Sequence, residues 1–284
     1  MATLNKYKLD KFIIDALHED IQDGDHTSQS CIPADQVSRA RLLVKDKGVI
    51  SGIAVAERVF KYLDPNATLD IRMPDGTAVK YGDEAFYLSC NSQALLMGER
   101  LALNTMQRLS GVSTLSRAFA EEVKDYNVTI LDTRKTTPLL RFLEKWAVEI
   151  GGCSNYRDGL YDRIMIKDNH TDAAGSITEA VQRVQSYLTE RDKNLDMTIE
   201  VRNFEELDEV LSLGIDVRVM LDNFTVDDTA RAVKLINKKI EVEASGGIEL
   251  NNVKDVAATG VDFISVGALT HSAQSLDMSL KIIK

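Results

Sequence analysis

Cysteine is scarce: the 284 residues hold only Cys31, Cys90 and Cys153. These are widely spaced with no C-x-x-C pair, which excludes a disulfide framework and the usual zinc patterns and fits a reducing cytosol. Long apolar runs are also missing. No stretch approaches the ~18 apolar residues that a membrane span needs. The opening MATLNKYKLDKFIIDALHED has neither the apolar core nor the small-residue cleavage site of a secretory signal, so a cytoplasmic protein is expected. Positive charge is in deficit, with a formal net charge of −10. A mean field of that sign repels phosphate and excludes a general affinity for nucleic acid or acidic membranes, but it says nothing against a local cationic pocket. What remains is ordinary: 44% hydrophobic and 27% charged residues, enough chain for one large domain or two modest ones.

Leu9 to Glu19 places Phe12, Ile13, Ala16 and Leu17 at helical spacing, and the turn-rich string DIQDGDHTS then predicts a loop. From Arg39 to about Asn91, β-like runs (ARLLVKDKGVISG, TLDIRM, EAFYLSC) surround one apolar helix, GIAVAERVFKYL, so this region reads as α+β. Ser92 to about Lys124 is a long helical stretch without proline, pausing at Ser110-Gly111 and linking two domains. The second half alternates short Val/Ile/Leu-rich strands with amphipathic helices such as SITEAVQRVQSYL, FEELDEVLSLG and VDDTARAVKLI, which implies βα units and a parallel sheet. About six strands are legible: VTILDTR, RIMIKDN, MTIEVRN, VRVMLDN, IEVEASGG and DFISVGA.

Each of these strands ends in polar, charged or glycine residues. In a parallel βα barrel functional groups gather at the carboxyl ends of the strands, where the loops converge. The ends, in order, are Asp132, Arg134 and Lys135; Lys167, Asp168 and Asn169; Glu200 and Arg202; Asp222 and Asn223; Ser245, Gly246 and Gly247; and Gly267. Such a rim suits a polyanionic substrate that carries a divalent cation. Arg and Lys hold carboxylate or phosphate oxygens, while Asp and Glu bind Mg²⁺ through oxygen. The glycines of SGGI and SVGALTHS let backbone N–H groups face a phosphate. Taken singly, each of these residues reads as a strand cap or a turn; their agreement across several strand ends carries the inference. Reaction type stays open at this point, since Lys135 or Lys167, if desolvated, could also form a Schiff base.

The runs DTRKTTP (Asp132 to Pro138), NYRDGLYD and IKDNH, together with EDIQDGDHTS, GERLALNTMQRLSGVST, IEVRN, VMLDNFT, EASGGI and ISVGALTHS, cover nearly the whole chain. In them the sequence resembles the quinolinate phosphoribosyltransferases, also called carboxylating nicotinate-nucleotide pyrophosphorylases. The resemblance implies an α/β protein of the type II phosphoribosyltransferase fold. An N-terminal α/β sandwich domain (1–110), to which a C-terminal helix (273–284) returns, would join an open seven-stranded βα barrel (111–272). It implies a pentosyltransferase of NAD biosynthesis that takes quinolinate and phosphoribosyl pyrophosphate, with Mg²⁺, to nicotinate mononucleotide, pyrophosphate and CO₂.

Carried over residue by residue, the resemblance implies an acceptor site of Arg134, Arg157 and Lys167, with Arg100 supplied by the neighbouring subunit of a homodimer. Thr133 and Tyr156 belong to the same substrate-binding set. Lys135 and His271 match positions near the phosphates; Glu200 and Asp222 match an acidic pair beside the ribose that can hold Mg²⁺; and Ser245, Gly246, Gly247 and Gly267 match a 5′-phosphate cradle. Lys135, Glu200 and Asp222 are the expected catalytic groups.

The chain departs from the pattern at Tyr156, where the family usually has His, at Leu139, where Gly is usual after TTP, and at Cys153, the third residue of a GGG. A neutral phenol offers only O–H where an imidazole can become a cation. A paralogue with another pyridine acceptor or reduced activity, or a non-catalytic anion-binding module, is the alternative these changes allow. His18 and His26 read as surface groups, Trp146 as packing, Arg141 as a helix-start residue and Cys153 as an inert thiol without a neighbouring base.

Overall fold

The computed structural model describes residues 4–283. The first residues of the opening stretch and the last residue of the expected C-terminal helix lie outside the described residues. The chain divides into two units. One comprises the residues up to Arg117, Thr137–Gly152 and Ser272 onward; the other comprises Ala118–Thr136 and Cys153–His271. These compact units divide at 117/118 and 271/272, beside the expected domain boundaries of 110/111 and 272/273, and the segment 137–152 groups with the first unit.

The first unit opens with α1 (Lys6–Ile21), where the Asn5 side chain accepts the Lys8 N–H and Leu9, Ile13 and Leu17 form a buried stripe. The string expected to be a loop contains α2 (His26–Cys31), because Asp25 caps the Ser28 N–H and starts a helical turn. There follow β1 (Val37–Val44), β2 (Gly48–Val49), α3 (Ile53–Leu63), β3 (Thr68–Ile71), β4 (Ala78–Val79), β5 (Glu84–Asn91) and α4 (Ser92–Glu122), whose last turns enter the second unit. On β1 every second residue, Ala40, Leu42 and Val44, is buried, and these pack with Ile53, Phe60, Phe86 and Leu88. No pause interrupts α4 at Ser110-Gly111. Gly111 is bare for another reason: a Cβ there would overlap the Gln274 carbonyl oxygen of the crossing chain.

After α4 come β6 (Thr129–Leu131), α5 (Arg141–Gly151), β7 (Ile164–Ile166), α6 (Asp168–Ala174), α7 (Ile177–Glu190), β8 (Met197–Val201), α8 (Phe204–Ser212), β9 (Arg218–Asp222), α9 (Val226–Ile236), β10 (Glu241–Ser245), α10 (Val253–Ala258), β11 (Phe263–Ser265), α11 (Ala268–His271) and β12 (Met278–Ile283). Among the described residues, the segment 273–283 is thus not a helix. Met278 and Leu280 are buried to either side of half-buried Ser279, and β12 pairs antiparallel with β1, completing a four-stranded sheet in the order β12-β1-β5-β3.

In the second unit the strands form a parallel sheet in the order β6-β11-β10-β9-β8-β7. From β7 to β11 each strand lies beside its successor in the chain, and β11 pairs with β6. The expected seventh strand is reduced to one parallel bridge, Leu131 to Ser154, on the other edge of β6. Ser154 N–H donates to the Ile130 carbonyl and Asp132 N–H to the Ser154 carbonyl. The next N–H of that ladder, from Tyr156, goes instead to the Asp132 side chain at 2.8 Å, and pairing stops there. The barrel is left with a seam between Ser154 and β7.

Candidate active site

Strand registers align Thr198 with Arg218, Arg218 with Glu241, and Asp222 with Ser245 and then Ser265. Because side chains alternate along a strand, Thr198 and Glu200, Arg218 and Asp222, and Glu243 and Ser245 share one face of the sheet in successive layers. That face is polar, and its layers do different things.

The lower layer is closed on itself. Arg218 donates to Glu241 at 2.9 Å and to Glu243 at 3.3 Å, the Ser265 hydroxyl donates to Glu243, and the Arg218 guanidinium stacks 3.5 Å from the Phe263 ring centre. Glu243 is fully buried. Burial pushes its carboxyl up from the ordinary range, against the opposing pull of Ser265 and Arg218. The Tyr156 ring has the guanidiniums of Arg163 and Arg218 each 5.5 Å from its centre. Its hydroxyl lies 2.6 Å from the Thr198 Oγ1, and desolvation, followed by the Glu243 charge, pushes the phenol up to about 12. Tyr156 therefore stays neutral, with its hydroxyl bound to Thr198. Tyr156, expected among the substrate-binding residues, has its hydroxyl engaged with Thr198, one layer below Glu200.

The upper layer gathers most of the expected groups. Lys167 Nζ lies 2.9 Å from Glu200 Oε2, joining an expected acceptor-binding cation to an expected ribose carboxylate. Lys167 also starts α6, where its N–H donates to His170 Nδ1 at 3.0 Å. Burial first, and then the Arg134 charge, lower the proton affinity of Arg157. Thr133 accepts the Lys135 N–H, and the Lys135 carbonyl accepts the Thr270 hydroxyl. A Cβ on Gly267 would lie 3.0 Å from Lys135 Cδ and 3.1 Å from His271 Nε2, so these three expected phosphate residues are neighbours.

On the adjacent strands, Asn223 donates its side-chain amide to Asp222 at 2.9 Å and its N–H to the Ser245 carbonyl at 2.8 Å. Gly246, at φ +93°, fits under Asn223, where a Cβ would overlap the amide oxygen; Gly247 faces open space. Among the described residues no three His, Cys, Asp or Glu side chains form a metal cage. Glu200 and Asp222 supply two carboxylates, which fits Mg²⁺ held partly by substrate oxygens rather than in an all-protein cage.

Arg100 is exposed on α4 in the first unit. Leu139, also in that unit, is 94% exposed at φ +64°, so the backbone keeps a conformation that favours glycine while bearing a Leu side chain. Cys153 is buried in the second unit, Trp146 is buried on α5, and His18 and His26 are exposed. Thr198, Arg218 and Glu243 were not singled out from the sequence. The signal was present in MTIEV and EVEAS, where polar residues recur at every second position, the mark of a polar strand face.

Comparison with known proteins follows the same lines. Residues 112–281 match the family model of the quinolinate phosphoribosyl transferase C-terminal domain, and residues 25–110 match that of its N-terminal domain. The chloroplastic nicotinate-nucleotide pyrophosphorylase (carboxylating) of Arabidopsis thaliana is 42% identical over 97% of this chain and 83% of its own length. A probable nicotinate-nucleotide pyrophosphorylase (carboxylating) of Synechocystis is 40% identical over 97% of this chain and 93% of its own. The crystal structure of NadC from Streptococcus pyogenes superposes with a TM-score of 0.93 at 33% identity, covering 100% of both chains.

Proposed function

The chain belongs to the quinolinate phosphoribosyltransferase family, and from that premise we infer that phosphoribosyl pyrophosphate and quinolinate meet at the upper rim of its barrel. The activity is that of a carboxylating nicotinate-nucleotide pyrophosphorylase, a pentosyl transfer in NAD biosynthesis. The observation that supports the assignment of residues is the contact of Lys167 with Glu200 at 2.9 Å, which joins an expected acceptor cation to an expected ribose carboxylate; Arg134 and Arg157 are expected to complete the cationic set. Two guanidiniums in such a set suit a ligand with two adjacent carboxylates, through bidentate hydrogen bonds. A ring with one carboxylate satisfies fewer of them.

Lys167 completes the acceptor site when it exchanges Glu200 for a quinolinate carboxylate. Lys135 and His271, around Gly267, take the phosphates of the donor. Ser245, Gly246 and Gly247 cradle its 5′-phosphate, and Thr133 shapes the turn that presents Arg134 and Lys135. As pyrophosphate leaves, positive charge grows on the anomeric carbon, and Glu200 and Asp222 stabilise it. A Mg²⁺ ion held by Glu200 and Asp222 together with substrate oxygens would neutralise charge on the departing pyrophosphate. Attack by the pyridine nitrogen leaves a pyridinium. That positive nitrogen stabilises the carbanion formed when CO₂ is lost, so the protein's part is orientation and electrostatics. A homodimer in which Arg100 reaches the partner's acceptor site, and a cytoplasmic location, complete the proposal.

The test is a steady-state assay of the purified chain with quinolinate, phosphoribosyl pyrophosphate and Mg²⁺. Release of CO₂ and pyrophosphate in equal amounts is expected. Turnover of nicotinate in preference to quinolinate would overturn the dicarboxylate assignment.

A further inference from the structure

Tyr156 stands where three structural restraints meet. Its N–H donates to Asp132 Oδ1 at 2.8 Å, on the segment that leads from β6 to Arg134. Its hydroxyl reaches Thr198 Oγ1 at 2.6 Å on β8, in the layer below Glu200. Its own successor in the chain is Arg157. The residue therefore reaches across the seam to β8, past β7, where no strand ladder joins Ser154 to β7. Arg163 and Arg218 flank its ring at 5.5 Å, and Arg218 is in turn fixed by Glu241 and Glu243. The phenol thus meets two guanidiniums at its ring and Thr198 at its hydroxyl.

Arg157 follows a residue fixed at both its backbone N–H and its hydroxyl, and the N–H bond ties it to Asp132, two residues before Arg134. We propose that Tyr156 is a positioning residue for acceptor recognition: it ties the Asn155–Arg157 segment to β8 through Thr198 and so holds Arg157 in register with Arg134 for a vicinal dicarboxylate. The proposal rests on the acceptor site described above. In it the phenol acts through Arg157 and does not touch the substrate, so its effect falls on acceptor affinity and spares the chemical step.

The experiment is a kinetic comparison of the full-length chain with Tyr156→Phe, Thr198→Val and the double variant, each checked for an unchanged melting transition. Each single variant should raise KM for quinolinate about tenfold, with kcat and KM for phosphoribosyl pyrophosphate within about twofold. The double variant should be no worse than either single, since both delete the same bond. Thr198→Ser, which keeps the hydroxyl, should restore the unmodified KM and keeps the test open if Tyr156→Phe fails to fold.

Impaired Tyr156→Phe beside normal Thr198→Val would mean that the hydroxyl meets the substrate directly, and it would overturn the proposal. So would additive losses in the double variant, or a fall in kcat with KM for quinolinate unchanged. Absence of quinolinate turnover in the unmodified chain is a different result: it sinks the acceptor-site assignment itself, and this proposal with it.

Discussion

Lys167 and Glu200 neutralise one another across 2.9 Å, although the proposed mechanism uses them on different substrates. The pair is unequal. Lys167 is 42% exposed and can swing to a ligand, whereas Glu200, at 8%, is fixed on β8. A quinolinate carboxylate therefore competes with Glu200 for the ammonium, and its success frees Glu200 to face the ribose. Glu200→Gln should lower kcat by about 10²–10³-fold, the usual cost of losing one preorganised charge at a transition state. It should also leave quinolinate affinity equal or tighter, because Lys167 is no longer held. Loss of quinolinate binding in this variant, measured by equilibrium titration, would contradict the competition.

The phosphate end can be tested separately. Gly267→Ala would put a methyl 3.0 Å from Lys135 Cδ and 3.1 Å from His271 Nε2, tighter than ordinary contacts, so one of these side chains must move. KM for phosphoribosyl pyrophosphate should rise about tenfold while quinolinate binding stays unchanged, since a small displacement of positioning groups is costly. Equal losses for both substrates would place Gly267 outside the phosphate site.

In the first unit, Glu144 is fully buried on α5 and accepts from Arg108 at 2.8 and 3.0 Å, from Thr137 N–H at 3.0 Å and from the Thr137 hydroxyl at 2.8 Å. One carboxylate thereby fixes the end of the DTRKTTP run. Glu144→Ala leaves the Arg108 guanidinium without its buried counter-charge and should cost about 3–5 kcal/mol, read as a shift in the urea midpoint. Arg108 also donates to the Ala273 carbonyl, so loosening of 272–276 should accompany the loss and appear as faster amide exchange there.

Gly111 shows both what the sequence disclosed and what it hid. Period-two and period-3.6 patterns found the six parallel strands and their helices, because each buries one face against its neighbours. The strand-end rule alone points to Lys167, Glu200, Asp222 and Gly246. Position 111 looked like a helix break because glycine is a poor helix former. Its cause is a contact with residue 274, far away in sequence, and no local pattern encodes that. The same limit hid β12, whose strand character depends on pairing with β1, and the role of Tyr156, whose partner Thr198 lies on another strand. Gly→Ala inside a helix ordinarily stabilises by about 1 kcal/mol. Gly111→Ala should instead lower the melting temperature, and a rise would show that the Gln274 crossing yields freely.

Asp75 gives a pH dependence whose sign is fixed by its position. Gly52 supplies no side-chain cap to α3, and the half-buried Asp75 carboxylate accepts the N–H groups of Ile53 at 2.9 Å and Ala54 at 3.3 Å in its place. Burial raises its proton affinity above the ordinary value of 3.8, and the backbone hydrogen bonds only partly oppose this. The folded chain thus holds this proton more tightly than the unfolded chain does. As pH rises from below 3.8 through the raised folded value, the unfolded state releases its proton first, so this group's contribution to stability falls and then levels off. Asp10, Asp25 and Glu84, held down by Arg58, Ser28 and Tyr87 respectively, contribute with the opposite slope, so the total profile cannot isolate Asp75. The difference between Asp75→Asn and the unmodified chain can, because the amide keeps a capping oxygen and does not ionise. Urea midpoints measured across mild acid should show the variant gaining on the unmodified chain as pH rises through that window, with a constant difference above it. A difference that stays flat or shrinks over the window would mean that Asp75 is not raised.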